Sequence, residues 1–274
     1  MDMFKIFTAM KTQEDNSSSS DDSETESDFI INSVSKIKIP IVISILHNEV
    51  SSIYRAAGIG EKSINPKTVE RVKQIIYKTE NRDIDLLINT SGGCLASTKQ
   101  ICETLLIYKK KYPDNKIRAY IQYRALSGGT LIALCADELY MSDYCHMGLV
   151  DPQICGLSLT DITSVIDIKN EKAWDFYYTL KNMSDRSVKL CTQILTKVLE
   201  SNSKYLNSKE NIIKFLLNDE LPHGGGFTIE ECMSIGITRN GDIPDKINKL
   251  FDSEHLAANP VKKDYMSSIT SSFM

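Results

Sequence analysis

Short apolar runs alternate with helix-like segments along the first half of the chain. The run at 39–46, IPIVISIL, is continuously apolar, which indicates a strand buried on both faces. Residues 66–79 follow with apolar side chains at helical spacing, and Asn65 before Pro66 suits the start of a helix. The same reasoning predicts strands at 84–88, 117–122 and 139–141, and helices at 95–109 and from 130. Such alternation predicts a parallel sheet with right-handed crossovers.

The second half and the two ends of the chain have a different character. Residues 157–217 read as mostly helical, with aromatic side chains close together between Trp174 and Tyr178, and predict a C-terminal helical subdomain. Residues 13–28, QEDNSSSSDDSETESD, contain no aliphatic or aromatic side chain and cannot offset the entropy cost of ordering. We therefore predict a disordered acidic tail at 1–36, a folded domain at 37–250 and a flexible tail at 251–274.

Composition and charge limit the classes of ligand and partner that the sequence predicts. The net charge of -4 gives no basic footprint for nucleic acid, and no apolar run approaches the length of a membrane span. Residues 1–11 do not resemble a signal peptide. The 7 cysteines have no CxxC spacing, and the 4 histidines have no ligand-like spacing. We expect reduced thiols in a cytoplasmic protein, no membrane or nucleic-acid partner, no metal and no cofactor.

Two strand-turn-helix units each carry a pair of glycines at the turn. The first is LLINTSGGCLAS, with Gly92 and Gly93, and the second is AYIQYRALSGGTLIAL, with Gly128. Glycine lets the backbone approach a ligand closely, and the N–H groups ahead of a helix point toward negative charge. Two such turns side by side would give two donors to one carbonyl oxygen, which is an oxyanion hole.

Ser127 occupies the bend of the second turn. A serine between a strand and a helix is either a helix N-cap or a nucleophile held out of the sheet. The α/β-hydrolase pattern GxSxG is absent, because residue 125 is alanine. The turn by itself leaves both interpretations open.

The motifs INTSGG and YRALSGGTLIALCADELYMSDYCHMGLVDPQI resemble the serine dehydrogenase proteinase family of the Clp/crotonase superfamily. Members read HTPGG, then AMSGGT-LIAL-AADEI, then LGPVDPQ. The Clp proteolytic subunit and signal peptide peptidase A are more distant relatives. The resemblance is specific over 39–155 and weaker to about 240. Here Asn89, Ser91 and Leu149 replace the family's His, Pro and Pro.

This resemblance implies an α/β Clp/crotonase fold, with a parallel sheet, repeated β-β-α/β-α units and a helical subdomain. It also implies an ATP-independent serine endopeptidase that acts on peptides or proteins and assembles as a homo-oligomer. Ser127 would be the nucleophile, and the N–H groups of Gly92 or Gly93 and of Gly128 the oxyanion donors. The family's Asp, Lys, Gln spacing falls on Asp185, Lys189 and Gln193, so Lys189 would be the general base. Lys172 and Lys181 are rival bases.

Three alternatives remain at this point. A Clp-like triad would use Ser127, His146 and Asp151. A crotonase-type enzyme would use the same backbone donors to stabilise a thioester enolate of an acyl-CoA, with Ser127 incidental. A catalytically inactive scaffold would retain only the fold. His223, in LPHGGGF, is interpreted as structural.

Overall fold

The computed structural model describes residues 40–47, 63–78, 81–169, 172–218 and 225–258. The predicted tail at 1–36 lies outside these residues. The first half follows the predicted alternation: β1 (Ile41–Leu46), α1 (Pro66–Lys78), β2 (Ile84–Thr90), α2 (Leu95–Lys111), β3 (Ile117–Ala125), α3 (Gly128–Leu134), β4 (Glu138–Met141) and β5 (His146–Gly148).

The second half is mainly helical. It contains α4 (Leu159–Lys169), the long α5 (Asp175–Glu200), a 3₁₀ turn (Ser203–Ser208), α6 (Lys209–Leu216), β6 (Gly226–Phe227), α7 (Ile229–Ser234) and α8 (Asp245–Ala258). Among the described residues, no helix is both long enough and apolar enough to cross a membrane.

The sheet is parallel except at one edge. Its order is β1-β2-β3-β5-β6, with β4 also paired to β3, and only the β5–β6 pair is antiparallel. All seven residues of β2 are buried, as expected for a strand covered on both faces. Parallel strands end at the same edge of a sheet, so the two glycine turns, which follow β2 and β3, become neighbours.

The large core lies between the sheet and helices α1, α2, α3 and α5. Helix α8 covers the opposite face with Ile247 and Phe251, and Ile243 joins them from the segment just before the helix; all three belong to a cluster with Leu87 and Tyr120. Ile247 and Phe251 have helical spacing, and Phe251 is fully buried. The predicted domain boundary at residue 250 therefore falls inside α8, and the start of the predicted flexible tail is helix through Ala258.

Buried thiols make the fold sensitive to alkali. Burial raises the pKa of Cys145, Cys191 and Cys232 from 9.0 to about 12. The unfolded chain therefore releases these protons first, and the stability they contribute is complete below pH 9 and disappears between pH 9 and 12. Lys204 acts in the opposite direction, because burial lowers its pKa to about 8. Three thiols outweigh this one ammonium group.

We expect each of these thiols to lower the free energy of unfolding by about 1.4 kcal/mol between pH 8 and 10, with Lys204 offsetting part of their sum. Urea unfolding at pH 8, 9 and 10 measures the change. The Cys232→Ala variant should lose less stability over this range than the wild type, because it lacks one titrating thiol. A wild-type stability that rose from pH 8 to 10 would contradict the expectation.

Candidate active site

The turn after β3 holds Ser127 in an unusual backbone conformation. Its φ is 51° and its ψ is -119°, a combination that L-amino acids rarely adopt. Such strain costs on the order of 1–3 kcal/mol and persists where the surrounding structure enforces it. The hydroxyl makes no side-chain cap hydrogen bond to α3, which the N-cap interpretation requires. The conformation instead holds Ser127 out of the sheet at a sharp strand-to-helix bend.

The two glycine turns touch each other. A Cβ added at Gly92 would lie 2.7 Å from Ser127 Cβ and 3.1 Å from the Gly128 nitrogen. Gly92 has a φ of 97° and Gly93 a φ of 155°, so both favour glycine. The first glycine turn therefore lies directly against Ser127 and Gly128.

Hydrogen bonding separates the candidate oxyanion donors. The N–H of Gly92 donates to Thr90 Oγ1 at 3.1 Å and is already used. Within the described part of the chain, the N–H groups of Gly93 and Gly128 donate to no other group. Of the alternatives Gly92 and Gly93, the geometry therefore favours Gly93, paired with Gly128.

Ile64 holds the first turn from outside the sheet. Its N–H donates to the Gly92 carbonyl at 2.8 Å, and its carbonyl accepts from the Cys94 N–H at 2.9 Å. A Cβ at Gly93 would lie 2.4 Å from the Ile64 carbonyl oxygen. The position of the Gly93 amide thus depends on glycine at this residue.

His47 and Thr90 hold the first glycine turn, which follows β2, through hydrogen bonds. His47 is 1% exposed, and its Nδ1 lies 2.6 Å from Thr90 Oγ1, the atom that accepts from Gly92. Sequence reasoning missed His47. Its position directly after β1, at the same edge of the sheet as the glycine turns, was the signal that could have identified it.

Ser127 opens into a pocket of about 340 Å³. Its walls come from both glycine turns, the segment after β5 and helix α5. The lining residues are Ser91, Gly93, Cys94, Leu95, Thr98, Ser127, Gly128, Leu131, Val150, Asp151, Pro152, Gln153, Ile154, Ser187 and Cys191.

A larger cavity of about 710 Å³ lies between α1 and α2. Tyrosines and lysines dominate its lining, and neither Ser127 nor a glycine of the two turns contributes to it. We therefore assign the candidate site by its chemistry and not by its size. Among the residues described, no group of three or more His, Cys, Asp or Glu side chains could hold a metal ion.

Lys189 is not brought to Ser127. Helix α5 contributes Ser187 and Cys191 to the pocket, and Lys189 lies two residues from each, about 200° away around the helix axis. Its side chain is exposed, as is that of Gln193. Asp185 pairs with Lys181 at 2.8 Å. The structure therefore does not support the prediction that Lys189 is the general base, because its helix face points to solvent.

The rival lysines are also outside the pocket. Lys172 is exposed, and Lys181 is held by Asp185. Lys204, whose pKa is lowered by burial, donates to the Asp137 carbonyl at 2.8 Å. Asp137 accepts from the N–H of Ile117, the first residue of β3, whereas Ser127 follows the last residue of that strand. Lys204 therefore lies near the opposite end of β3 from Ser127, which is about 26 Å away along the strand.

The predicted triad is not assembled either. Asp151 lines the pocket, but His146 is exposed at the start of β5 and does not. Its side chain lies against Gly226. His223 lies outside the described residues.

A model of the family described as ClpP-like SDH-type serine proteinase matches residues 23–269. The chain belongs to this family. The resemblance stated from the glycine-turn motifs is thus confirmed, and so is the predicted fold class, an α/β fold of Clp type with a mostly parallel sheet.

Two uncharacterized proteins of Methanocaldococcus jannaschii are similar to this serine proteinase family member. MJ1495 is 29% identical over 212 residues, which are 77% of this chain and 70% of the relative. MJ0137 is 25% identical over 241 residues, or 85% and 79% of the two chains.

Solved structures of similar fold are more distant. A mutant of the 1510-N membrane-bound stomatin-specific protease has a TM-score of 0.48 and 16% identity over 78% of this chain and 84% of its own. A mutant of ClpP1 from Listeria monocytogenes has a TM-score of 0.45 and 15% identity over 74% and 91%.

Proposed function

We propose that the chain is a serine peptidase in which Ser127 Oγ attacks the carbonyl carbon of a peptide bond. The observation that carries the proposal is the strained Ser127 turn, which abuts the first glycine turn at the mouth of a pocket. Membership of a serine proteinase family supports the reaction class. The crotonase alternative uses the same amides but gives no reason for the strain at Ser127.

The oxyanion is the part of the reaction that the backbone can stabilise. Attack by Ser127 turns the carbonyl oxygen into an alkoxide, and the N–H groups of Gly93 and Gly128 would donate to it. Such fixed donors stabilise the transition state because they need no reorganisation when the charge develops. Collapse of this alkoxide breaks the peptide C–N bond and releases the amine, which carries away the proton lost by Ser127 Oγ. Water then hydrolyses the acyl-enzyme, which releases the carboxylic acid product and regenerates the Ser127 hydroxyl.

A Ser-Lys dyad through Lys189 would require helix α5 to turn by about half its circumference, which would expose Cys191, Ile194 and Leu195. Burial of these side chains stabilises the observed orientation. We therefore propose Ser127 and the two amides as catalytic groups and leave Lys189 out of the mechanism.

The Lys189→Ala variant should accordingly retain peptide hydrolysis within about threefold of the wild-type kcat/KM, since removing an exposed side chain away from the reacting atoms has little effect. The Lys189→Arg variant should behave in the same way. A loss of more than a hundredfold in both variants, with unchanged melting temperatures, would show that Lys189 does reach Ser127.

The homo-oligomer, the cytoplasmic location and ATP independence stay predictions. Trp174 is 76% exposed and Phe176 is 58% exposed, and these aromatic side chains are a surface that a subunit contact would cover.

A further inference from the structure

The regular part of the sheet does not fix the two glycine turns relative to each other. The ladder between β2 and β3 is regular as far as the pair Ile88 and Ile121. The next paired residues are Thr90 and Ala125, so two steps along β2 accompany four along β3. Such a bulge, immediately before both turns, disrupts the ladder locally. The positions of the oxyanion donors therefore depend on contacts beyond the ladder.

Thr90, the last residue of β2, is fully buried and contacts the nucleophile turn through two groups. Its carbonyl accepts from the N–H of Leu126, the residue before Ser127, at 3.0 Å. Its methyl carbon Cγ2 would lie only 2.6 Å from a Cβ added at Gly129, so the methyl group packs against this glycine. Thr90 thus contacts the nucleophile turn on both sides of Ser127.

The Thr90 hydroxyl fixes the first turn at the same time. Its Oγ1 accepts from the buried Gly92 N–H at 3.1 Å, and His47 Nδ1, 2.6 Å away, restrains the hydroxyl. On the other side of Gly92, the carbonyl accepts from the Ile64 N–H at 2.8 Å. The carbonyl and the N–H of a trans peptide point in opposite directions, so the Gly93 N–H points away from Ile64.

We propose that Thr90 is a positioning residue, whose hydroxyl holds the first turn at the distance from Ser127 that the oxyanion requires. This inference rests on the proposed peptidase function. Without the hydroxyl, the Gly92 N–H would be buried without an acceptor, which is unfavourable, and the turn would shift to relieve it. The Gly93 amide would shift with the turn, and a displacement of ~1 Å at a reacting centre reduces the rate about a hundredfold.

The Thr90→Val variant keeps the shape and the methyl group of the side chain but has no hydroxyl. Its kcat for a fluorogenic peptide should fall about tenfold to a hundredfold, because stabilisation of the transition state is weakened. Its KM should stay within about threefold of wild type, because the pocket that binds the peptide is unchanged. A Thr90→Val enzyme with the wild-type kcat, or with its whole loss in KM, would overturn the assignment.

The Thr90→Ser variant tests rescue by the hydroxyl. It loses the methyl group and some stability, but it should keep kcat within about threefold of wild type. Thr192→Val on α5 is the matched control, because Thr192 Oγ1 donates to the Val188 carbonyl at 2.9 Å, away from both turns. It should keep the wild-type kcat and KM. A Thr90→Ser enzyme as slow as Thr90→Val would show that the hydroxyl is not the group that matters.

Residue-resolved amide hydrogen exchange separates this inference from the peptidase proposal, because exchange needs no turnover. The Gly92 amide should exchange at least about tenfold faster in Thr90→Val than in wild type or Thr90→Ser. The amide of Leu105, buried on α2, is the reference, and an equal rise there would count against a local role.

The two proposals then fail in different ways. Faster Gly92 exchange in Thr90→Val, without any hydrolysis by the wild type, would leave the role of Thr90 in the turn standing and overturn the peptidase. Wild-type hydrolysis with unchanged Gly92 exchange in Thr90→Val would do the reverse.

Discussion

The Ser127→Ala variant should lose peptide hydrolysis by at least about a thousandfold in kcat/KM, because loss of a serine nucleophile removes the covalent route to the acyl-enzyme. The fold should remain. Alanine has the same backbone preferences at a φ of 51° as serine, and the Ser127 hydroxyl makes no hydrogen bond with a described side chain. Calorimetric melting should therefore stay close to that of the wild type.

A glycine at the same position provides a second readout. The Ser127→Gly variant should be equally inactive but more stable than Ser127→Ala by about 1 kcal/mol, since glycine adopts this conformation without steric strain. Ser234→Ala is the matched control, because Ser234 is exposed on α7 and donates to the Glu231 carbonyl at 2.7 Å. It should keep wild-type rates. Substantial hydrolysis by purified Ser127→Ala would exclude Ser127 as the nucleophile.

The Gly93→Ala variant should be both slow and unstable. Its new Cβ would lie 2.4 Å from the Ile64 carbonyl oxygen and 2.5 Å from the Ile64 nitrogen, so the backbone that holds the first turn must move. The Gly93 amide moves with it, and loss of one oxyanion donor reduces kcat by about a hundredfold to a thousandfold. We also expect a loss of about 2 kcal/mol or more in unfolding free energy.

Gly241→Ala is a close control for this substitution. Gly241 has a φ of 151°, almost that of Gly93, but a Cβ there meets nothing within 4 Å. The Gly241→Ala variant therefore has only the cost of a positive φ at alanine, without a steric clash, and should keep its activity. Denaturant unfolding and steady-state rates of both variants separate the effect of the clash from that of the conformation. Equal behaviour of the two variants would contradict the role assigned to Gly93.

The alternation of strands and helices, and the place of the nucleophile turn, could be predicted from the sequence. Apolar runs such as 39–46 mark buried strands by themselves, and a serine followed by two glycines between a strand and a helix marks a sharp turn. Both features are local. The meeting of the two turns followed from the rule that parallel strands end at one edge.

The orientation of α5 could not be predicted from the spacing of Asp185, Lys189 and Gln193. A spacing of four residues shows that side chains share a face, but not which neighbour that face meets. Packing against the neighbouring helices, α2 and α3 among them, decides this, and it buries Leu180, Cys191, Leu195 and Val198. The polar triplet thus lies on the solvent side.

Asp151 illustrates the same limit. In the sequence it follows an apolar pair, and nothing local shows that it shares a pocket with Ser127, 24 positions earlier. The contact arises because Thr130 joins the nucleophile turn to Gly148. The final helix shows how a boundary is missed: Ile247 and Phe251, together with Ile243 just before the helix, complete the second face of the sheet only once the sheet has formed.

Covalent labelling with a fluorophosphonate, read by peptide mass spectrometry, tests the central claim most directly. The account predicts one adduct for each wild-type chain, located on Ser127, and none on the Ser127→Ala variant. An adduct on another serine, or peptide hydrolysis by wild-type protein that the reagent neither labels nor inhibits, would contradict it.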